Sequence, residues 1–175
     1  MARILIAYST TDGHTARICQ RLAELLAARA HETRVAPLAT VEERDLAACE
    51  KVVIGASIRY GRHSQAVLDF IERHERVLNR KPSAFFSVSV VARKPEKNQP
   101  HTNPYVRKLL RRIPWRPREV GVFAGKIDYP RYSPLDRTII RFIMLITGGP
   151  TDPKAVVEFT DWSAVEAFAG RVAAL

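Results

Sequence analysis

Seven residues near the start of the chain, Ser9-Thr10-Thr11-Asp12-Gly13-His14-Thr15, have the types and spacing of a phosphate site. They lie between a short apolar run and a helical pattern. A loop in that place presents backbone N–H groups and the positive end of a helix to one ligand. Ser9, Thr10 and Thr15 add hydroxyl donors, and Gly13 lets the backbone approach closely. No Lys or Arg lies within the loop, so an anion would be held by neutral donors. The spacing fits neither GxGxxG nor GxxxxGK(S/T), which argues against a dinucleotide or ATP. Asp12 would repel a phosphate dianion unless its carboxylate turns outward. A plain strand-to-helix turn with threonine caps is the competing reading.

The elements that must hold this loop alternate between strand and helix. Arg3–Tyr8 reads as a strand, and His14 to about Ala30 as a helix with Ala16, Ile18, Leu22, Leu25 and Leu26 at helical spacing. Strands are expected at Thr33–Ala36, Lys51–Ser57, Ser83–Val91 and Glu119–Ala124, and helices at Ser64–Leu78, Val106–Ile113 and Trp162–Ala174, the last capped by Asp161. Apolar strands separated by helices imply a parallel sheet covered on both faces, the doubly wound α/β class, in a single domain. Ligands of such sheets bind beyond the carboxyl ends of the strands. Two more loops reach that edge: Ser57-Ile58-Arg59-Tyr60-Gly61 and the stretch from Ser87 through Ser89, Val90, Val91 and Ala92 to Arg93.

Composition narrows the class further. A chain of 175 residues with 46% hydrophobic and 26% charged residues is ordinary for a globular protein. No run reaches the ~20 apolar residues of a spanning helix, and the N-terminus carries no signal-peptide pattern. Cys19 and Cys49 have no metal-type spacing and read as reduced, buried thiols of a cytoplasmic protein; no metal is expected. The net charge of +10 is concentrated: Arg93–Ile146 holds 13 Lys+Arg against 4 Asp+Glu, and accounts for nine of the ten excess charges. Charge so localised suggests a surface that meets an anionic partner. No RNA-binding signature or recognition helix is present, so nucleic acid is not expected.

The N-terminal loop is similar to the FMN-phosphate loop of flavodoxins, with Thr10, Gly13 and Thr15 matching and Asp12 departing from it. Further segments resemble a narrower family: VVIGASIRYG (Val52–Gly61), VARKPEKNQPHTNPY (Val91–Tyr105), YPRY (Tyr129–Tyr132), GGPTD (Gly148–Asp152) and TDW (Thr160–Trp162). Together they resemble the menaquinone-dependent protoporphyrinogen dehydrogenases of haem biosynthesis, over almost the whole chain. The resemblance implies a flavodoxin-like fold with a central five-stranded parallel sheet, FMN as cofactor, and six-electron oxidation of protoporphyrinogen IX with menaquinone or ubiquinone as acceptor. It also implies that the residue 57–61 and 87–93 loops flank the flavin ring, with Tyr60 as the stacking candidate and the other ring face open to substrate. Arg93, Lys94 and Arg131 are then placed to meet the two propionates of the substrate; exposed, solvated bases are the competing reading. His14, His63 and His101 are available imidazoles, and none stands out as acid or base.

Lys126–Pro150 falls outside the alternation and reads as an insertion before the last helix. Within it Leu135–Thr147 forms an amphipathic helix, Arg137, Thr138 and Arg141 on one side and Leu135, Ile139, Phe142, Ile143 and Ile146 opposite. Such a stripe packs on the core or lies in a bilayer interface. The bases Arg107, Lys108, Arg111 and Arg112 favour the second, a peripheral site on the cytoplasmic side of the inner membrane. The rival readings are a general FMN-dependent NAD(P)H:quinone reductase, a flavodoxin-type electron carrier, and a non-enzymatic binding module on the same scaffold.

Overall fold

A computed structural model describes all 175 residues. Strand β1 (Arg3–Ser9) is followed by helix α1 (His14–Ala27), strand β2 (Glu32–Pro37), a short helix α2 (Glu43–Ala48) and strand β3 (Lys51–Arg59). A two-residue strand β4 (Arg62–His63) folds back on β3, and helices α3 (Gln65–Arg73) and α4 (Glu75–Arg80) lead to β5 (Ser83–Ser89). Helix α5 (Pro104–Arg112), strand β6 (Glu119–Ala124) and strand β7 (Lys126–Asp128) come next. Helix α6 (Pro134–Thr147), strand β8 (Val156–Glu158) and helix α7 (Trp162–Ala174) complete the chain.

The five long strands form a parallel sheet in the order β2-β1-β3-β5-β6, as the alternation of strand and helix requires. Side chains of β1 alternate between two cores. Ile4 and Ile6 pack with α1 and α7, and Leu5 and Ala7 with α3 and α5. On the first face Phe86, Phe123 and Phe168 meet at ring-centroid separations of 5.4, 6.0 and 5.6 Å, in the tilted and edge-on geometries that aromatic pairs favour. Gly55 sits opposite Phe86 in the β3–β5 ladder, and a Cβ on it would fall 2.2 Å from Phe86 Cζ. The Phe86 ring therefore demands glycine there.

Several elements differ from the sequence expectation: α2 and β4 were not expected, and β3 continues through Ile58 and Arg59, which were expected in the loop. The helix expected over Ser64–Leu78 breaks at His74, which is buried and stacks on Phe70 at 4.6 Å. The strand expected to reach Val91 stops at Ser89, where the chain tightens into a 3₁₀ turn over Val90–Arg93. The excursion that starts at Lys126 closes later than Pro150. Strands β7 and β8 pair antiparallel, with Lys126 opposite Glu158 and Asp128 opposite Val156, so α6 hangs on a two-stranded stem.

Cys19 and Cys49 are both buried, free thiols, and burial pushes both pKa values up, so neither is poised as a nucleophile. No helix is long and apolar enough to cross a membrane.

Candidate functional site

The loops leaving β1, β3 and β5 converge on a cavity of about 200 Å³ at the carboxyl edge of the sheet. Thr10, Thr11, Asp12, His14 and Thr15 line it from the first loop, Ser57–Gly61 from the second, and Ser89, Val90, Val91 and Arg93 from the third. Helix α6 closes the remaining side with Ile140, Ile143, Met144 and Thr147, joined by Tyr105, Lys126 and Tyr132. The expected residues outside this lining have other places. Gly13 is the left-handed N-cap of α1 (φ 85°), Ser9 borders a neighbouring groove, and Ser87 and Ala92 are buried behind the wall. Lys94 and Arg131 line neither concavity.

The first loop is built to give donors away. Gly13 N–H is held by Thr10 Oγ1 at 3.0 Å, and no side chain caps the first turn of α1, so its early N–H groups remain available. Thr15 is 1% exposed, yet its Oγ1 has no hydrogen-bond partner; the same holds for Ser89 Oγ. Such groups are rare because an unsatisfied buried hydroxyl costs ~1–3 kcal/mol. Both belong to residues that line the cavity, Thr15 in the first turn of α1 and Ser89 at the end of β5.

Asp12 does not face a prospective anion alone. Arg59 Nη1 donates to Asp12 Oδ2 at 3.0 Å while Nη2 donates to Asp136 Oδ2 at 2.8 Å. The same guanidinium lies 5.5 Å from the ring centroids of Tyr60 and of Tyr132. One side chain at the end of β3 thus neutralises the acid of the first loop and pins the N-terminal turn of α6.

Arg93 does the same at the other end. Its guanidinium donates to Val90 O (3.1 Å), Thr147 O (3.1 Å) and Thr147 Oγ1 (3.3 Å), which ties the third loop to the last turn of α6. The chain then passes through Gly149, where a Cβ would meet Met144 Sδ at 2.4 Å and Arg93 Nη2 at 3.1 Å. The distinctive sequence segments therefore act together to seat α6. RKPEK supplies the clamp and GGPTD the passage beside it. YPRY supplies the base, with Tyr129 Oη donating to Pro150 O at 2.5 Å and Tyr132 accepting from Asp128 N–H at 3.3 Å.

His14 is held by the TDW segment. Thr160 Oγ1 spends its proton on Ala124 O at 2.7 Å, so His14 Nε2, 2.6 Å away, must be the donor in their contact. Burial lowers the His14 pKa against the opposing pull of Glu158, which favours this neutral tautomer. His63 is 7% exposed, its Nε2 lies 2.9 Å from Ser87 Oγ, and burial lowers its pKa to about 4. The one carboxylate that lines the cavity, Asp12, is engaged by Arg59, which also holds Asp136.

Tyr105, Tyr132 and the α6 residues escaped the reading of the sequence. The α6 period marked a stripe without showing that the covered side is Ile140, Ile143 and Met144. Ile143, expected on the open apolar side, turns inward.

Residues 5–154 match the family model described as Flavodoxin domain. The chain is 48% identical to a protoporphyrinogen IX dehydrogenase [quinone] of Leishmania major, over 99% of this chain and 75% of that one. It is 45% identical to the protein of the same name from Escherichia coli strain K12, over 99% and 96%. Among solved structures, a Streptococcus pneumonia TIGR4 flavodoxin superposes with a TM-score of 0.57 at 15% identity, covering 99% of both chains. Oxidised Flavodoxin 2 from Bacillus cereus gives 0.53 at 21% identity, over 84% of this chain and 99% of that one.

Proposed function

Because this chain belongs to the family of quinone-dependent protoporphyrinogen IX dehydrogenases, we infer that it binds FMN at the cavity and passes electrons from protoporphyrinogen IX to a membrane quinone such as menaquinone. The observation that carries the cofactor is the pair of buried hydroxyls without partners, Thr15 Oγ1 and Ser89 Oγ, in the walls of one cavity at the sheet edge. Groups of this kind are rare in ordinary packing, and a polar ligand at the cavity would satisfy them.

The donor set suits a flavin mononucleotide. Thr10, Thr11 and Thr15, with the open first turn of α1, would hold a phosphate through neutral groups, while Arg59 keeps Asp12 from repelling it. Ser57–Gly61 and Ser89–Val91 would flank the ring, with Tyr60, 51% exposed, as its stacking partner. FMN bound there would supply two-electron oxidation, and three turnovers would account for the six electrons removed from the porphyrinogen. The protein's own part is to position and to exclude water, through Ile140, Ile143 and Met144 on the α6 wall.

The outward face of α6 supports access to a membrane-dissolved acceptor. Leu135, Phe142, Leu145 and Ile146 are 61–70% exposed on one short helix. We propose that this face lies in the interface of an anionic bilayer, peripheral and on the cytoplasmic side. Phe142→Ser with Leu145→Glu should abolish co-sedimentation with phosphatidylglycerol vesicles and leave flavin content unchanged.

Anaerobic turnover of protoporphyrinogen IX by FMN-loaded protein with a menaquinone analogue and no nicotinamide tests the whole reading. Porphyrin fluorescence should rise in step with quinol formation. Rapid NADH oxidation without porphyrinogen turnover would overturn it.

A further inference from the structure

Beside the cavity lies a second concavity of about 450 Å³. Thr11, Ser57, Arg59, Tyr60, Gly61 and Tyr105 line both, so the two are joined along the Tyr60–Gly61 turn. The groove is lined by Arg59, Arg62, Lys108 and Arg112 and by no Asp or Glu. Arg59 is committed to Asp12 and Asp136, but Arg62, Lys108 and Arg112 have no carboxylate within 4.0 Å. Three unpaired cations around one hollow repel one another, and an anion in the hollow relieves that repulsion.

The hollow is rigidly made. Lys108 and Arg112 stand one turn apart on α5 and face the groove together. The start of α5 is fixed by Asn103, 0% exposed, whose Oδ1 accepts from Tyr105 N–H at 3.1 Å and Val106 N–H at 3.2 Å while its Nδ2 donates to Lys97 O. The shared wall is the two-residue turn of the β3–β4 hairpin: Arg59 pairs with Arg62, and Tyr60 (φ 50°) and Gly61 (φ 75°) take the successive left-handed conformations that such a turn requires.

We propose that this groove holds the propionate carboxylates of the porphyrinogen, with the macrocycle crossing Tyr60 and Tyr105 toward the first cavity. The assignment rests on the dehydrogenase reading and adds where the substrate's charge is held. Arg62 and Arg112 offer bidentate forks to carboxylates, and Lys108 a point charge between them in sequence. It replaces Arg93 in that role, because the Arg93 guanidinium is occupied by Val90 and Thr147. A lipid phosphate has the same charge chemistry, but the exposed apolar face suited to a bilayer is on α6, and α6 contributes no residue to this groove.

The test compares binding of protoporphyrin IX and of its dimethyl ester to FMN-loaded protein by fluorescence titration. Wild type should prefer the free acid at least about tenfold, the worth of one charge-assisted contact. R62Q/R112Q and, separately, K108Q/R112Q should bring the acid down to the affinity of the ester and leave the ester unmoved; R62K/R112K should keep most of the preference. All these side chains are exposed, and flavin absorbance checks that each variant is loaded. An unchanged preference in the glutamine variants, with wild-type turnover intact, overturns the groove and leaves the enzyme reading standing. Equal loss of acid and ester overturns it too. Loss of phosphatidylglycerol vesicle binding with the preference intact assigns the groove to lipid instead. Failure of wild type to bind or oxidise the porphyrinogen overturns both readings.

Discussion

Thr15→Val separates a cofactor site from a structural turn, because the two predict opposite signs. Valine keeps the shape of threonine and removes one hydroxyl. Thr15 is 1% exposed and its Oγ1 has no partner within the protein, so without a ligand that group would cost ~1–3 kcal/mol of stability. Its removal should raise the melting temperature of flavin-free protein, at ~2–4 °C per kcal/mol for a chain of this size. With FMN the hydroxyl would donate to a charged phosphate, an interaction worth ~1.5–3 kcal/mol. Its loss should weaken FMN ~10- to 150-fold. Flavin fluorescence quenching measures the second effect, and thermal melts of flavin-free protein the first. Wild-type FMN affinity together with a lowered melting temperature would show that the hydroxyl serves the fold, and would refute a cofactor role for it.

Gly55→Ala should destabilise by ~1–3 kcal/mol, read as a shift in urea midpoint, because the new Cβ falls on the buried ring of Phe86. Arg59→Gln should weaken FMN about tenfold or more by freeing the Asp12 charge, and Asp12→Asn in that background should restore much of the loss; additive losses in the double variant would refute the neutralising role. His63 has a folded pKa of about 4 against about 6.5 unfolded, so the unfolded chain binds the extra proton between those values. Its contribution to stability is whole above pH 6.5 and falls by ~3 kcal/mol as pH drops toward 4. His63→Gln should flatten that part of the urea-midpoint profile, and an equally steep profile in the variant would count against it.

The sheet and the first loop were legible because local pattern suffices for them. The apolar run at Ile4–Ala7, the helical period through Leu26 and the turn chemistry of Thr10–Thr15 each lie within a few residues. The clamps on α6 were not legible. Arg59 reaches Asp136 across 77 positions and Arg93 reaches Thr147 across 54, and an arginine looks the same in sequence whether it meets a carbonyl, a carboxylate or water. The facing of α6 was half legible. Apolar residues occupy most of its circumference, so the period alone did not show that Met144 goes in while Phe142 stays out. The β8 strand, three residues long with only its middle one half-buried, carries too little alternation to stand out.

The stem formed by β7 and β8 bears on how such a chain could arise. Lys126 and Glu158 face one another across a ladder whose strands lie ~5 Å apart, so the excursion leaves and re-enters the scaffold at nearly one point. Strands β7 and β8 pair only with each other and not with the parallel sheet. A scaffold with a simple turn at this position could acquire a cavity wall by lengthening that turn, with the register of its five strands unchanged. Chemistry and scaffold can then drift at different speeds, with the two arginine clamps as the joints that keep them in step.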